Sequence, residues 1–275
     1  MKIRLAHSPD ADDAFMFYGL AEGLIETGPY EFEHILQDIQ TLNDRASRGT
    51  YELTAISVHA YAYVRDRYAI TRCGGSFGDG YGPMIVSREP RTEADLAGCT
   101  VAIPGTTTSA YLALQLYRTG LKTQLLPFDK IVAAVQGGVV DCGLIIHEGQ
   151  VTYAQQGLHL VCDLGAWWKS KTALPLPLGV NAVRRDLPAD DQRRLTDILF
   201  ASIQYSLDHR EAALAHAMKY ARDVQTPLAD RFVGMYVNDW TLDYGPRGRA
   251  AVAKLLDEAH RAGIIPAPVS VEFVE

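Results

Sequence analysis

The sequence predicts an α/β protein of two lobes around a cleft, on three observations. Short apolar runs alternate with amphipathic helical patterns from Lys2 to Asp163. Longer helical patterns dominate after Ala189. Two stiffened segments, Pro83–Ser87 and Leu174–Val183, read as crossovers that leave one lobe and return to it. Strand–helix alternation of this kind favours a mainly parallel sheet. The crossovers divide the chain into a discontinuous lobe of residues 1–88 and 178–275, and a second lobe of residues 89–177.

Each element follows from local pattern. Short apolar runs between turn-forming residues predict strands at Lys2–Ala6, Phe32–Leu36, Leu53–Ser57, Tyr68–Arg72 and Pro83–Ser87. Thr100–Ile103, Gln124–Phe128, Cys142–Ile146 and Leu158–Asp163 continue the series. Apolar spacing near 3.6 residues predicts helices at Asp13–Leu24, Ile39–Arg48, His59–Arg65, Ser109–Thr119 and Lys130–Gln136. In Ser109–Thr119, Leu112, Leu114, Leu116 and Tyr117 form an apolar stripe, and Gly120 suits the C-terminal turn. After the second crossover everything reads as helix: Leu195, Ile198, Leu199, Ile203 and Leu207 keep the spacing, as do Val252, Leu255, Leu256 and Ala259.

Composition narrows the function classes. Lys and Arg number 26 against 33 Asp and Glu, a formal charge of −7, and 48% of the 275 residues are hydrophobic. That apolar content excludes a disordered chain. The acidic balance and the lack of a Lys/Arg cluster argue against a nucleic-acid partner. No run approaches the roughly 20 apolar residues of a membrane span. Cys73, Cys99, Cys142 and Cys162 form no C-x-x-C pair, which suits reduced thiols better than a disulfide framework or a zinc site. Met1–Ala6 does not read as a signal peptide, so the cytoplasm is the expected location.

Ligands of open α/β sheets bind beyond the carboxyl ends of strands. Four such ends carry polar groups. Asp10, Asp12 and Asp13 follow the first strand, where one acid suffices to cap the next helix. The surplus leaves a ligand contact open for Asp13. Ser57 ends the third strand and serves either as an N-cap or as a donor into the cleft. Pro104-Gly105-Thr106-Thr107-Thr108-Ser109 precedes a helix, and a cap uses one hydroxyl where four are present. That excess favours an anion site, and without a P-loop Lys a carboxylate suits it better than a nucleotide. His147 ends the strand Cys142–Ile146 and is placed either for proton transfer near neutral pH or for a structural role. No H-E-x-x-H pattern follows it, since position 151 is Val, so no metal is expected. Gly74–Gly82 is glycine-dense but leads into a strand, and reads as a close-approach loop. Trp167 and Trp168 serve either to stack on an aromatic ligand or to pack the lobe.

Taken together, several of these blocks resemble one family. Ser8-Pro9 through Asp13, Phe15, Tyr18, the Gly74–Pro83 loop, Pro104-Gly105 with its Thr run, Gly143–Glu148, Asp163–Trp168 and Leu174–Gly179 occur in order. In that set the chain resembles the 1,4-dihydroxy-6-naphthoate synthases, lyases of the futalosine route to menaquinone. The resemblance implies a two-lobed, periplasmic-binding-protein-like fold of type II, with the substrate between the lobes. It implies a cofactor-free cleavage of a carbon–carbon bond in cyclic dehypoxanthinyl futalosine, an aromatic carboxylate. It places the catalytic base on His147 and substrate contacts on Ala55, Ile56, Ser57, Thr107, Thr108, Ser109 and Ala110. The family pattern Cys-Pro-Asn-Asp after Ser-Pro is Asp10-Ala11-Asp12-Asp13 here, and Ala55 stands where some members carry Lys. Those departures keep alternatives in play: a paralogue acting on another aromatic acid, the sister chorismate dehydratase, or a non-catalytic cytosolic binder.

Overall fold

A computed structural model describes residues 1–221 and 225–275. Twelve strands form two sheets. The strands are β1 (Lys2–His7), β2 (Glu31–Leu36), β3 (Leu53–Ser57), β4 (Tyr68–Thr71), β5 (Ser76–Gly78), β6 (Met84–Ser87), β7 (Thr100–Ile103), β8 (Lys122–Leu125), β9 (Cys142–Ile145), β10 (His159–Asp163), β11 (Leu176–Arg184) and β12 (Phe273–Val274). The first sheet runs β12-β4-β11-β3-β1-β2 with β5 added on β11, and the second runs β10-β6-β9-β7-β8. The helices around them are α1 (Ala11–Met16), α2 (Tyr18–Ala21), α3 (Ile39–Ala46), α4 (Val58–Val64), α5 (Ser109–Tyr117), α6 (Ile131–Gln136) and α7 (Gly149–Thr152). They continue as α8 (Leu164–Thr172), α9 (Ala189–Asp208), α10 (Arg210–Ala217), α11 (Thr226–Tyr236), α12 (Asp239–Leu242) and α13 (Gly245–Arg261).

Side-chain chemistry at the helix starts sets these boundaries. Asp38 caps α3 by accepting from the Thr41 N–H at 3.0 Å, and Asp163 caps α8 by accepting from Gly165 and Ala166 at 2.9 and 3.0 Å. Each such cap contributes about 1 kcal/mol. Under α8, Trp168 is fully buried and its indole N–H donates to the Pro175 carbonyl at 3.1 Å. Gly82 and Gly165 lie back to back at the first crossover. A Cβ on Gly165 would sit 1.8 Å from the Tyr81 carbonyl oxygen, and one on Gly82 would sit 2.9 Å from the Gly165 Cα.

Several expectations need correction. The sheets are mixed rather than mainly parallel. β6 runs antiparallel to β9 and β10, and β11 runs antiparallel to β3, β4 and β5. Both are the crossover segments, which enter a lobe against the direction of its βα units. The change of sheet falls at Met84 and at Leu176, so β6 belongs to the second sheet and not with residues 1–88. The expected helix Asp13–Leu24 is broken at Phe17, where the Ser202 hydroxyl donates to the Met16 carbonyl at 3.1 Å and accepts from the Leu20 N–H at 3.3 Å. The expected strand Gln124–Phe128 lies earlier, at β8, because Pro127 opens a 3₁₀ turn over Phe128–Lys130. The C-terminal region is not all helix, since β12 pairs in parallel with β4.

Candidate active site in the interlobe cleft

Between the sheets lies a cavity of about 750 Å³, counting its open side. That is the size range of small-molecule sites. Its walls come from the ends of β1, β3 and β11, the first turns of α1 and α5, and the segment after β9.

One end is built by α5. Thr108 is its N-cap: Oγ1 accepts from the Tyr111 N–H at 3.2 Å and donates to the Gly105 carbonyl at 3.0 Å. Ser109 Oγ donates to the Leu178 carbonyl at 2.5 Å and accepts from the His59 N–H at 3.3 Å. Thr107 gives both its N–H and its hydroxyl to Gln40 Oε1 at 3.1 Å, and Thr106 is exposed. The run of hydroxyls is therefore committed to the protein itself, contrary to the expected crown of side-chain donors. What a helix start leaves for an anion is its first N–H groups, and those of Ser109 and Ala110 belong to residues on the cleft wall. Ser57 stands opposite. Its N–H donates to Asn43 Oδ1 at 2.8 Å and its Oγ accepts from Asn43 Nδ2 at 3.0 Å, which leaves the hydroxyl hydrogen to give.

Acids gather at α1. Asp10 occupies the N-cap position without capping, and its Oδ2 accepts from the Ser8 hydroxyl at 2.8 Å. Asp13 Oδ2 accepts from the Ser8 N–H at 2.7 Å. From the other lobe, Glu148 Oε1 accepts from the Ala11 N–H at 3.3 Å. Asp12 and Asp13 keep some surface on the cleft and are walled in elsewhere. Burial pushes the Asp13 carboxyl up to about 7, against the pull of the Ser8 N–H and with help from the Asp10 charge. Burial raises Asp12 further, with Asp13, Asp10 and Glu148 adding repulsion. Near them the Tyr236 hydroxyl donates to Gln150 Oε1 at 2.6 Å.

The cleft thus joins Asp13, Ala55, Ser57, Thr108, Ser109 and Ala110. It does not join Ile56, Thr107 or His147. Strand alternation turns Ile56 into the core while its neighbours on either side face the cleft. Thr107 is held to α3. Ile146 and Gln150 face the cleft, and His147 between them points into an adjacent cavity with Lys130 and Gln155, its ring edge-on to Phe128 at 5.3 Å. Trp168 packs the lobe core and is not on the cleft wall. Sequence reasoning missed Asp12, Gln150, Asn181 and Tyr236 as wall residues. Only Asp12 carried a signal, as the surplus acid of its run.

Two-sheet architecture with a polar cleft at the crossover defines the class, a periplasmic-binding-protein fold. Solved structures with that fold superpose well. An alkanesulfonate-binding protein from Xanthomonas axonopodis matches at a TM-score of 0.73 and 15% identity, over 98% of this chain and 96% of that one. A crystal structure from Archaeoglobus fulgidus matches at 0.93 and 45%, over 96% and 98%. The family model described as menaquinone biosynthesis matches residues 3–261, and the chain belongs to that family. Among its relatives is a protein of Thermus thermophilus named 1,4-dihydroxy-6-naphthoate synthase, 43% identical over 97% of both chains. One of the same name from Streptomyces coelicolor is 38% identical over 96% of this chain and 95% of that one. Among the described residues, no helix is long and apolar enough to cross a membrane.

Proposed function

We propose that the chain is a carbon–carbon lyase of menaquinone synthesis that converts cyclic dehypoxanthinyl futalosine to 1,4-dihydroxy-6-naphthoate. The observation that carries this reading is the near full-length similarity to two synthases of that name, joined to a cleft with an anion-ready helix start. In this reading the aryl carboxylate lies at the N–H groups of Ser109 and Ala110 with the Ser57 hydroxyl. The futalosine route and a cytoplasmic location follow from the same reading.

The chemistry asks for one base. His147 takes the proton of a substrate hydroxyl, a carbonyl forms there, and the adjacent carbon–carbon bond breaks. Its electron pair passes into the bicyclic ring system, which aromatises as it is reprotonated. A positioned base supplies about 10²–10⁴-fold, and alignment in the cleft supplies the remainder. His147 sits on the wall segment between Ile146 and Gln150, so turning its side chain from the adjacent cavity to the cleft completes the site. Aromatisation makes the step favourable without an added oxidant or reductant.

Incubation of the purified protein with cyclic dehypoxanthinyl futalosine should yield 1,4-dihydroxy-6-naphthoate, detected by its mass. Substrate recovered intact would refute the assignment.

A further inference from the structure

We infer that the part of the cleft formed by Asp12, Asp13, Gln150 and Asn181 is a subsite for hydroxyl groups, which fixes the direction in which a hydroxylated carboxylate lies. This deepens the proposed function and rests on it for the identity of the ligand. Two buried amides carry the inference. Gln150 is 3% exposed; its Oε1 is taken by the Tyr236 hydroxyl, and its Nε2 has no hydrogen-bond partner among the described residues. Asn181 is 2% exposed; its Nδ2 donates to the Gly74 carbonyl at 2.8 Å, and its Oδ1 has no partner among the described residues. Both residues line the cleft. A buried donor and a buried acceptor left unmatched cost stability in the free protein, and a ligand that satisfies them recovers it.

Charge decides which ligand group belongs there. A carboxylate would match the Gln150 donor but meet Asp10, Asp12 and Asp13. A cation would suit the acids but meet the Gln150 N–H and gain nothing from it. A hydroxyl both donates and accepts: it gives its hydrogen to a carboxylate or to Asn181 Oδ1 and receives one from Gln150 Nε2. The α5 start has the opposite character, with no acid in its first turn. A molecule with a carboxylate at one end and hydroxyls at the other therefore binds in one orientation.

The test is a ratio of two affinities that needs no turnover. Calorimetric Kd values are measured for benzoate, a ring with a carboxylate, and for quinate, a ring with a carboxylate and hydroxyls. The wild type should bind quinate about tenfold more tightly. Gln150→Leu should remove most of that margin and leave benzoate within about twofold of its wild-type value. Equal affinities in the wild type overturn the subsite, as does a Gln150→Leu protein that weakens both ligands alike or neither. Where Gln150→Leu does not fold, Tyr236→Phe carries the comparison. It unties Gln150 by losing one hydroxyl and should cut the margin about threefold, and an unchanged margin overturns the subsite. A protein that keeps the quinate margin but yields no naphthoate would retain the subsite and lose the lyase assignment.

Discussion

Two helices start at the cleft and treat it in opposite ways. α1 begins with Asp12 and Asp13 in its first turn, has Asp10 before it, and receives Glu148 from the other lobe on its Ala11 N–H. α5 has a Thr cap and no acid in its first turn. Both carry the positive end of a backbone dipole. At α1 the chain supplies the negative charge itself, in such excess that burial and mutual repulsion hold protons on the acids. At α5 it supplies only a neutral cap and leaves the outermost N–H groups to something else. The same backbone feature is self-satisfied at one wall and receptive at the other, and side-chain charge alone makes the difference.

The sharpest way to test this division is at the segment between the two walls. His147→Ala should lower kcat by about 10²-fold or more while the Kd for the naphthoate product stays within about twofold. A near-normal turnover number measured under saturating substrate would move the base to one of the acids of α1. Next comes the loop that delivers α5. A Cβ on Gly105 would lie 2.1 Å from Gln40 Oε1 and 2.8 Å from Gln40 Cβ, so Gly105→Ala must displace α3 and its bonds to Thr107. Urea denaturation should show a loss of about 1–3 kcal/mol. Thr108→Val removes the α5 cap and should cost about 1 kcal/mol. Its KM should rise about threefold with kcat nearly constant, because the carboxylate is held throughout the reaction. Steady-state kinetics showing kcat alone affected would contradict an anion site at α5.

The smallest effect concerns α1 and is a pH slope. Asp13 holds its proton more tightly in the folded protein, with its carboxyl pushed up to about 7 from an ordinary 3.8. Its contribution to stability is therefore fullest below about pH 4 and drains as pH rises through 7. His7, His34 and His59 are lowered by burial and act in the other direction, weakening the fold as pH falls below 6.5. They do so equally in the wild type and in Asp13→Asn. The difference in melting temperature between the two proteins, followed from pH 5 to pH 8, should thus shift in favour of Asp13→Asn. A constant difference would mean that Asp13 is ionised throughout.

Much of this was written locally. β3 and β7 match their apolar runs to the residue, and the start of α5 follows from one Thr before a helical stripe. Ala55, Ser57 and Thr108–Ala110 reach the cleft because they lie where strand gives way to helix. What local pattern could not supply depends on distant partners. The break at Phe17 needs Ser202, a partner 186 positions from Met16, and the pair of Tyr236 with Gln150 spans 86 positions. Strand direction was equally hidden, since β6 and β11 take theirs from the lobe they join. The outward turn of His147 reflects the tight bend in which the Gln150 N–H reaches the His147 carbonyl at 2.8 Å, which no composition or period announces.

The contact between Gly82 and Gly165 has a mechanical meaning. Only hydrogen atoms separate those two backbones, and the Leu164 N–H is fastened to the Pro83 carbonyl at 2.9 Å. Neither partner slides without climbing over the other. Any tilt of one lobe is passed undamped into α8 and the Trp168 ring beneath it, as a stub axle passes torque. The Asp163–Trp168 block earns its place as a bearing, with no share in the reaction.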